Sequence, residues 1–198
     1  MTDKTILYYN NNAAEYVSST EGADLSELRS RFLKYVRRDG TIADLGAGSG
    51  RDMLCFAGLG YEVCGIDASA EICKILALKG LDVSCTRIED WRPAGKYSGI
   101  WACASLLHLE ADKVKEFIAR VHEYLEPGGA FYFSVKTGVE TGYDGKGRFF
   151  QNFTEEDIDG LAGINPELEL ADRWNTADEL GREGTEWINV IMTRRESR

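Results

Sequence analysis

Two carboxylates and three glycines have the types and spacing to hold a nucleoside. Residues 42–52 read IADLGAGSGRD, a short apolar run that ends at Asp44–Leu45 and leads into Gly46, Gly48 and Gly50. Glycine lets a backbone take positive φ or come within contact distance of a ligand. A glycine loop that follows a strand and opens a helix is where open α/β sheets hold nucleotide-like groups. Asp67 ends the next apolar run, YEVCGID, 17 residues past Gly50. A carboxylate at a strand tip can accept hydrogen bonds from both ribose hydroxyls. The dinucleotide fingerprint G-x-G-x-x-G wants its third glycine where this chain has Arg51. Asp44 would repel a pyrophosphate but attract an ammonium. The pattern favours an aminoacyl nucleoside over NAD, while Asp67 serves either.

Fewer residues suggest proton or anion chemistry. His108, one of two histidines, follows the apolar run IWACASLL. A loop there can aim it into a pocket as a general base; the alternative is a histidine packed under the LLHL turn. His122, among charged neighbours, reads as surface. Arg31 and Arg51 are the nearest cations for a carboxylate or an anionic acceptor, because guanidinium pairs bidentately with such groups. Arg31 can equally be a solvated helix face. Lys136 and Arg148 could form a positive acceptor site.

Positioning these residues requires a sheet. Five β-rich runs, TIADL, YEVCGID, LDVSCTRI, YSGIWACA and GAFYFSVK, alternate with helical patterns between residues 41 and 136. That alternation predicts an α/β fold, parallel strands with helices on both faces. Val114, Phe117, Ile118, Val121 and Leu125 recur at helical spacing, and Pro127 with Gly128 and Gly129 is expected to stop that helix. LSELRSRFLKYV precedes the first strand, and SAEICKILALKG joins the second and third. After residue 137 come a glycine-rich polar segment, a short helix capped by Thr154, and the runs ELELADRWNTAD and TEWINVIMTRR around a polar connection. The last two runs predict an antiparallel hairpin and seven strands in all. With no linker in view, residues 1–198 read as one domain: an N-terminal segment (1–24), a ligand-binding half (25–136) and an acceptor-side half (137–198).

The run Asp44-Leu45-Gly46-Ala47-Gly48-Ser49-Gly50, Asp67, and LEPGG before the fifth strand resemble the class I S-adenosylmethionine-dependent methyltransferases. GSGRD, IWACASLLHL and YYNNNAAEY are similar in particular to small bacterial members linked to tellurite resistance. The resemblance implies a Rossmann-like, seven-stranded, mostly parallel sheet with a reversed last strand. It also implies methyl transfer from S-adenosylmethionine to a small-molecule acceptor. On that reading Gly46, Ala47, Gly48 and Gly50 pack against the methionine part, Asp44 lies near its ammonium, and Arg51 or Arg31 near its carboxylate. Asp67 and Ala68 hold the ribose, Ile88 and Glu89 flank the adenine, and Ala102 and Cys103 face the methyl group. Tyr8, Tyr9 and Tyr16 belong to a lid formed by residues 1–24. The chain departs from many members in carrying Arg87 where they have an aspartate.

A sulfonium already carries its leaving group, so the protein must mainly align a nucleophile and exclude water. A base is needed only for a poorly ionised hydroxyl or amine. WACASLLHLE lacks an N-P-P-Y pattern and has no carboxylate at Ala102, Cys103 or Ala104 to hold a metal for a catechol. Thiols, chalcogen oxyanions, carboxylates and amines remain as acceptors. A non-catalytic S-adenosylmethionine-binding regulatory module and an NAD-dependent oxidoreductase are the rival readings.

Composition narrows the partners. A chain of 198 residues, 43% hydrophobic, can bury a core without disulfides or metal. With 33 acidic against 23 basic residues and a net charge of −10, a broad basic face for nucleic acid or anionic lipid is not expected. The five cysteines are odd in number and form no C-x-x-C pair, which suits free thiols in a reducing cytosol. No signal-like or bilayer-length apolar run is read in the sequence, so a cytoplasmic monomer or homodimer is expected.

Overall fold

The computed structural model describes residues 1–178 and 185–196. The polar connection between the last two runs, and the end of the chain, lie outside the described residues. Parallel strands β1 (Thr41–Leu45), β2 (Glu62–Asp67), β3 (Val83–Cys85), β4 (Tyr97–Ala102) and β5 (Leu125–Thr137) form most of the sheet. A small hairpin, β6 (Gly142–Tyr143) with β7 (Phe149–Phe150), stands apart from it. The sheet is completed by β8 (Leu168–Ala177) and β9 (Glu186–Arg194), in the order β3-β2-β1-β4-β5-β9-β8. Strand β9 runs antiparallel to both its neighbours, β5 and β8. This is the seven-stranded Rossmann-like sheet with a reversed last strand that the resemblance implies.

Strand alternation sorts the core into two layers. On one face Ala43, Ile100, Ala102, Phe131, Phe133 and Val190 pack under helix α6 (Ala111–Val121) and helix α7 (Glu155–Ala162). On the other, Ile42, Trp101, Tyr132 and Ile191 meet Phe32 of α3 (Ser26–Leu33) and Phe56 of α4 (Arg51–Gly58). Trp101 stacks on Tyr132 with ring centroids 3.9 Å apart, and Phe32 lies 5.2 Å from Trp101. Fully burying each such ring contributes roughly 1.5–3 kcal/mol, enough to fix α3 on the sheet. Helix α5 (Ala70–Leu78) packs with Met53, and α1 (Asp3–Asn11) and α2 (Ala13–Thr20) lie against it. No helix among the described residues is long and apolar enough to cross a membrane.

Two elements differ from the periodicity. Helix α6 ends at Val121, a single 3-10 turn spans His122–Tyr124, and β5 already starts at Leu125. Pro127 and Gly128 therefore sit in the strand's bulged entry: Tyr97 pairs with Leu125 but Gly99 with Ala130, and Gly128 takes φ +75° in the slack. Strand β3 keeps only three residues, because Ile88–Asp90 turns into a 3-10 helix. His122 is half-buried rather than surface, its Nδ1 lying 2.6 Å from the amide nitrogen of the buried Asn165.

Candidate active site

The floor of the site is the β1–α4 turn. Gly46 has φ +80°, and a Cβ added there would lie 2.6 Å from the Ser105 Cβ, so only glycine lets the loop pass the turn after β4. Gly46 and Ala47 donate their N–H groups to the Ile66 carbonyl at 2.7 and 3.0 Å. Gly48 N–H donates to Asp67 Oδ2 at 3.1 Å, and Ser69 N–H to Asp67 Oδ1 at 2.9 Å. The tip of β2 thus fastens the loop. After β4 the chain reverses through Ala104 at φ +53°, a left-handed conformation uncommon outside glycine, held by its N–H donating to Ser134 Oγ at 2.9 Å. That reversal brings Cys103 and His108 to the same opening.

A cavity of about 140 Å³ opens at these strand ends. Below it Asp52, at the start of α4, accepts from Arg29 Nη1 at 2.7 Å, Arg51 Nη2 at 2.8 Å and Trp101 Nε1 at 3.2 Å. Burial works to raise its pKa, but the two guanidinium groups outweigh it and hold the carboxyl below its ordinary value. Asp44, 3% exposed, faces the cavity with no hydrogen bond to its carboxylate among the described residues. Burial first, then the charge on Asp52, push it well above the ordinary carboxylate range. The Cys103 thiol, pushed up to about 12 by burial and then by Asp52, is no thiolate nucleophile.

Side chains from distant segments make the roof. The Tyr9 hydroxyl lies 2.9 Å from His108 Nε2, and His108 Nδ1 lies 2.6 Å from the Phe149 carbonyl oxygen. Burial, then Arg148 and Lys136, lower the His108 pKa to about 4, against the opposing hydrogen bond to Phe149. Burial raises the Tyr9 phenol. Tyr16 covers the glycine loop: a Cβ on Gly48 would lie 3.3 Å from its ring and hydroxyl. Arg148 pairs with Asp144 through two bonds of 2.9 and 2.7 Å, and its guanidinium stands over Tyr8 and Phe150.

The sequence profile of a family described as a methyltransferase domain matches residues 16–182. The chain belongs to that methyltransferase-domain family. A ubiquinone biosynthesis O-methyltransferase of Bradyrhizobium sp. (strain ORS 278) is 34% identical over 102 residues, covering 48% of this chain and 39% of that protein. The chain thus spans well under half of that relative's length. Among solved structures, the 1,6-didemethyltoxoflavin-N1-methyltransferase of Burkholderia thailandensis, with bound 1,6-didemethyltoxoflavin and S-adenosylhomocysteine, superposes with a TM-score of 0.75. The two share 19% identity over 96% of this chain and 88% of that one. The CcbJ methyltransferase from Streptomyces caelestis also gives 0.75, at 18% identity over 99% and 100% of the two chains. At these identities the structures establish the fold.

In this methyltransferase-domain chain the cavity gathers Asp44, Gly46, Ala47, Gly48, Arg51, Cys103 and His108 with Tyr9 and Tyr16. Lys136 and Arg148 line it too. Seven expected residues are placed outside its lining. Arg31 pairs with Asp172 at 3.4 Å and lies over Trp174, because it projects from the side of α3 away from the cavity. Ala102 is turned by strand alternation into the opposite core layer. Ile88 is buried in that same layer. Glu89 forms an ion pair with the Met1 amine. Gly50 backs onto Leu76 and Leu81. Asp67 and Ala68 lie behind the loop, outside the cavity's lining. Arg51, expected to meet a ligand carboxylate, already serves Asp52 and the Thr20 carbonyl, the latter at 3.1 Å. Sequence reasoning missed Arg29, Asp52 and Trp101; the charged pair Arg51-Asp52 in GSGRD was the available signal.

Proposed function

We propose that the protein transfers the methyl group of S-adenosylmethionine to a small molecule held in this cavity. The observation that carries the reading is Asp44, a carboxylate facing the cavity beside the glycine loop, with no hydrogen bond to it among the described residues. Burial and the neighbouring carboxylates oppose its ionised form, and the ammonium of the methionine part would supply both donors and countercharge. Gly46 and Gly48 line the cavity with main chain, and Asp67, held by the backbone N–H groups of Gly48 and Ser69, keeps lone pairs for the ribose hydroxyls. The cofactor supplies an electrophilic methyl group. The chain's own work is to orient it and exclude water, which the rings of Tyr9 and Tyr16 do from above.

The nucleoside end calls for movement. Asp67 lies behind Gly48 under Tyr16, and Asn10 of α1 accepts from Ser69 Oγ at 2.7 Å. Admitting an adenosine there requires α1 and α2 to open and then close again over it, so residues 1–24 act as the lid. Tellurite and selenite belong in an acceptor screen because of the sequence resemblance. Thermal unfolding with S-adenosylmethionine, S-adenosylhomocysteine and NAD tests the reading. A ligand at 100 times its dissociation constant stabilises by about 2.7 kcal/mol. A rise in Tm with both adenosyl compounds and not with NAD is expected; a rise with NAD alone would overturn the assignment.

A further inference from the structure

We infer that Tyr9 is the group that takes the acceptor's proton, that His108 behind it stores that proton, and that the acceptor is a hydroxyl compound. This rests on the methyl-transfer reading above. It departs from the acceptor classes that the sequence singled out.

Hydrogen-bond chemistry fixes the dyad. The Phe149 carbonyl can only accept, so Nδ1 of His108, 2.6 Å away, carries the ring proton. In the neutral ring Nε2 is then an acceptor, and the Tyr9 hydroxyl 2.9 Å away donates to it. The imidazole lone pair is therefore closed to the cavity. The Tyr9 oxygen, which also accepts from the Arg148 guanidinium, sits on a side chain that lines the cavity and is the dyad atom presented there. Three separate segments hold this line: α1 carries Tyr9, the turn after β4 carries His108, and β7 supplies the carbonyl. The Phe149 N–H in turn donates to the buried Thr5 Oγ1 at 2.8 Å, which ties β7 back to α1.

The charges nearby select the acceptor. Arg148 and Lys136 face His108, with Asp144 the opposing acid, and both cations stand over the Phe150 ring, at 5.0 and 4.8 Å from its centroid. Together with burial they keep the imidazole unprotonated at neutral pH, its Nε2 lone pair free to accept a proton. Their position beside the dyad suits an oxygen that gains negative charge as it reacts. Carboxylates and chalcogen oxyanions arrive ionised, and a thiol is easily ionised, so none of these needs a relay. A hydroxyl does. In the step, the acceptor O–H proton passes to the Tyr9 oxygen while Tyr9's own proton passes to Nε2. An O–C bond forms, the C–S bond breaks with its electron pair left on sulfur, and the products are a methyl ether, a neutral thioether and an imidazolium. The positive charge lost at sulfur reappears on His108, so the net charge of the pocket is unchanged.

With only two histidines in the chain, ¹⁵N-histidine NMR reads the dyad directly, with and without S-adenosylhomocysteine. His108 is expected as the neutral, Nδ1-protonated tautomer from pH 7 down to about 5, consistent with its lowered pKa of about 4. Tyr9→Phe should shift the His108 Nε2 resonance and leave His122 in place, which also reports that the variant is folded. An Nε2-protonated or charged His108 at pH 7, or an Nε2 signal unmoved by Tyr9→Phe, would overturn the relay. Phenol, catechol and benzyl alcohol are then compared with benzoate, thiophenol and benzylamine in the presence of S-adenosylmethionine. Methyl ethers are expected, falling roughly 10²-fold in Tyr9→Phe; the absence of any ether overturns the acceptor assignment. Calorimetry on the same samples separates the failures. No heat with S-adenosylmethionine defeats methyl transfer itself, whereas binding with the wrong tautomer defeats only the relay.

Discussion

The floor and the roof of the cavity are built in different ways. The floor comes from two adjacent βα turns, and its parts, Asp44 to Asp52 with Asp67, are joined largely by backbone N–H groups. The roof is assembled by side chains from opposite ends of the chain: Tyr9 meets His108 across 99 positions, and Thr5 meets Phe149 across 144. A floor held by the sheet is as stable as the fold. A roof held by a few side chains can open at lower cost, which a lid requires. Damage to the floor should therefore appear as lost stability, and damage to the roof as changed pH response and local opening.

The largest effect is expected at Asp52. Replacing it with alanine leaves Arg29 and Arg51 without their shared anion and should cost about 3–5 kcal/mol, read by urea unfolding. In the roof, His108 has its folded pKa lowered from 6.5 to about 4. Between those values the unfolded chain takes up a proton that the folded chain does not, so stability is full above pH 6.5 and falls as pH drops toward 4. The linked loss is about 3 kcal/mol in wild type, and His108→Gln should remove that acid slope. Gly46→Ala, strained at positive φ and against Ser105, should cost about 1–3 kcal/mol. Thr5→Val strands the Phe149 N–H and should cost about 1–2 kcal/mol, seen mainly as faster hydrogen exchange in α1 and β7. The smallest effect has the opposite sign. Asp44 is raised above its ordinary value by burial and by Asp52, so in wild type stability falls as pH rises through its folded pKa. Asp44→Asn should slightly stabilise the protein at pH 7, with the gain vanishing in acid.

The floor was legible because its signals are local. Alternating apolar residues mark the strands, and spaced glycines with an aspartate on either side mark the loop. The roof was not, because nothing near Tyr9 in the sequence points to His108. Arg29 and Arg31 show where local reading ends. They are two positions apart on α3, and the helix turns roughly 200° between them, so one meets Asp52 and the other Asp172. The apolar stripe of Leu25, Leu28 and Phe32 places Arg29 on the buried side, a signal available but overlooked. Pro127 misled because a helix breaker serves equally well in a strand bulge, and only the Tyr97–Leu125 pairing decides between them.

The most direct test of the central claim is isothermal titration of S-adenosylmethionine into wild type and Asp44→Asn. The account predicts binding to wild type and an affinity at least about tenfold weaker in the variant, a loss of about 1.4 kcal/mol or more, in a protein that is no less stable. Equal affinities would show that the ammonium does not sit on Asp44, and no binding to either would remove the methyl-transfer reading.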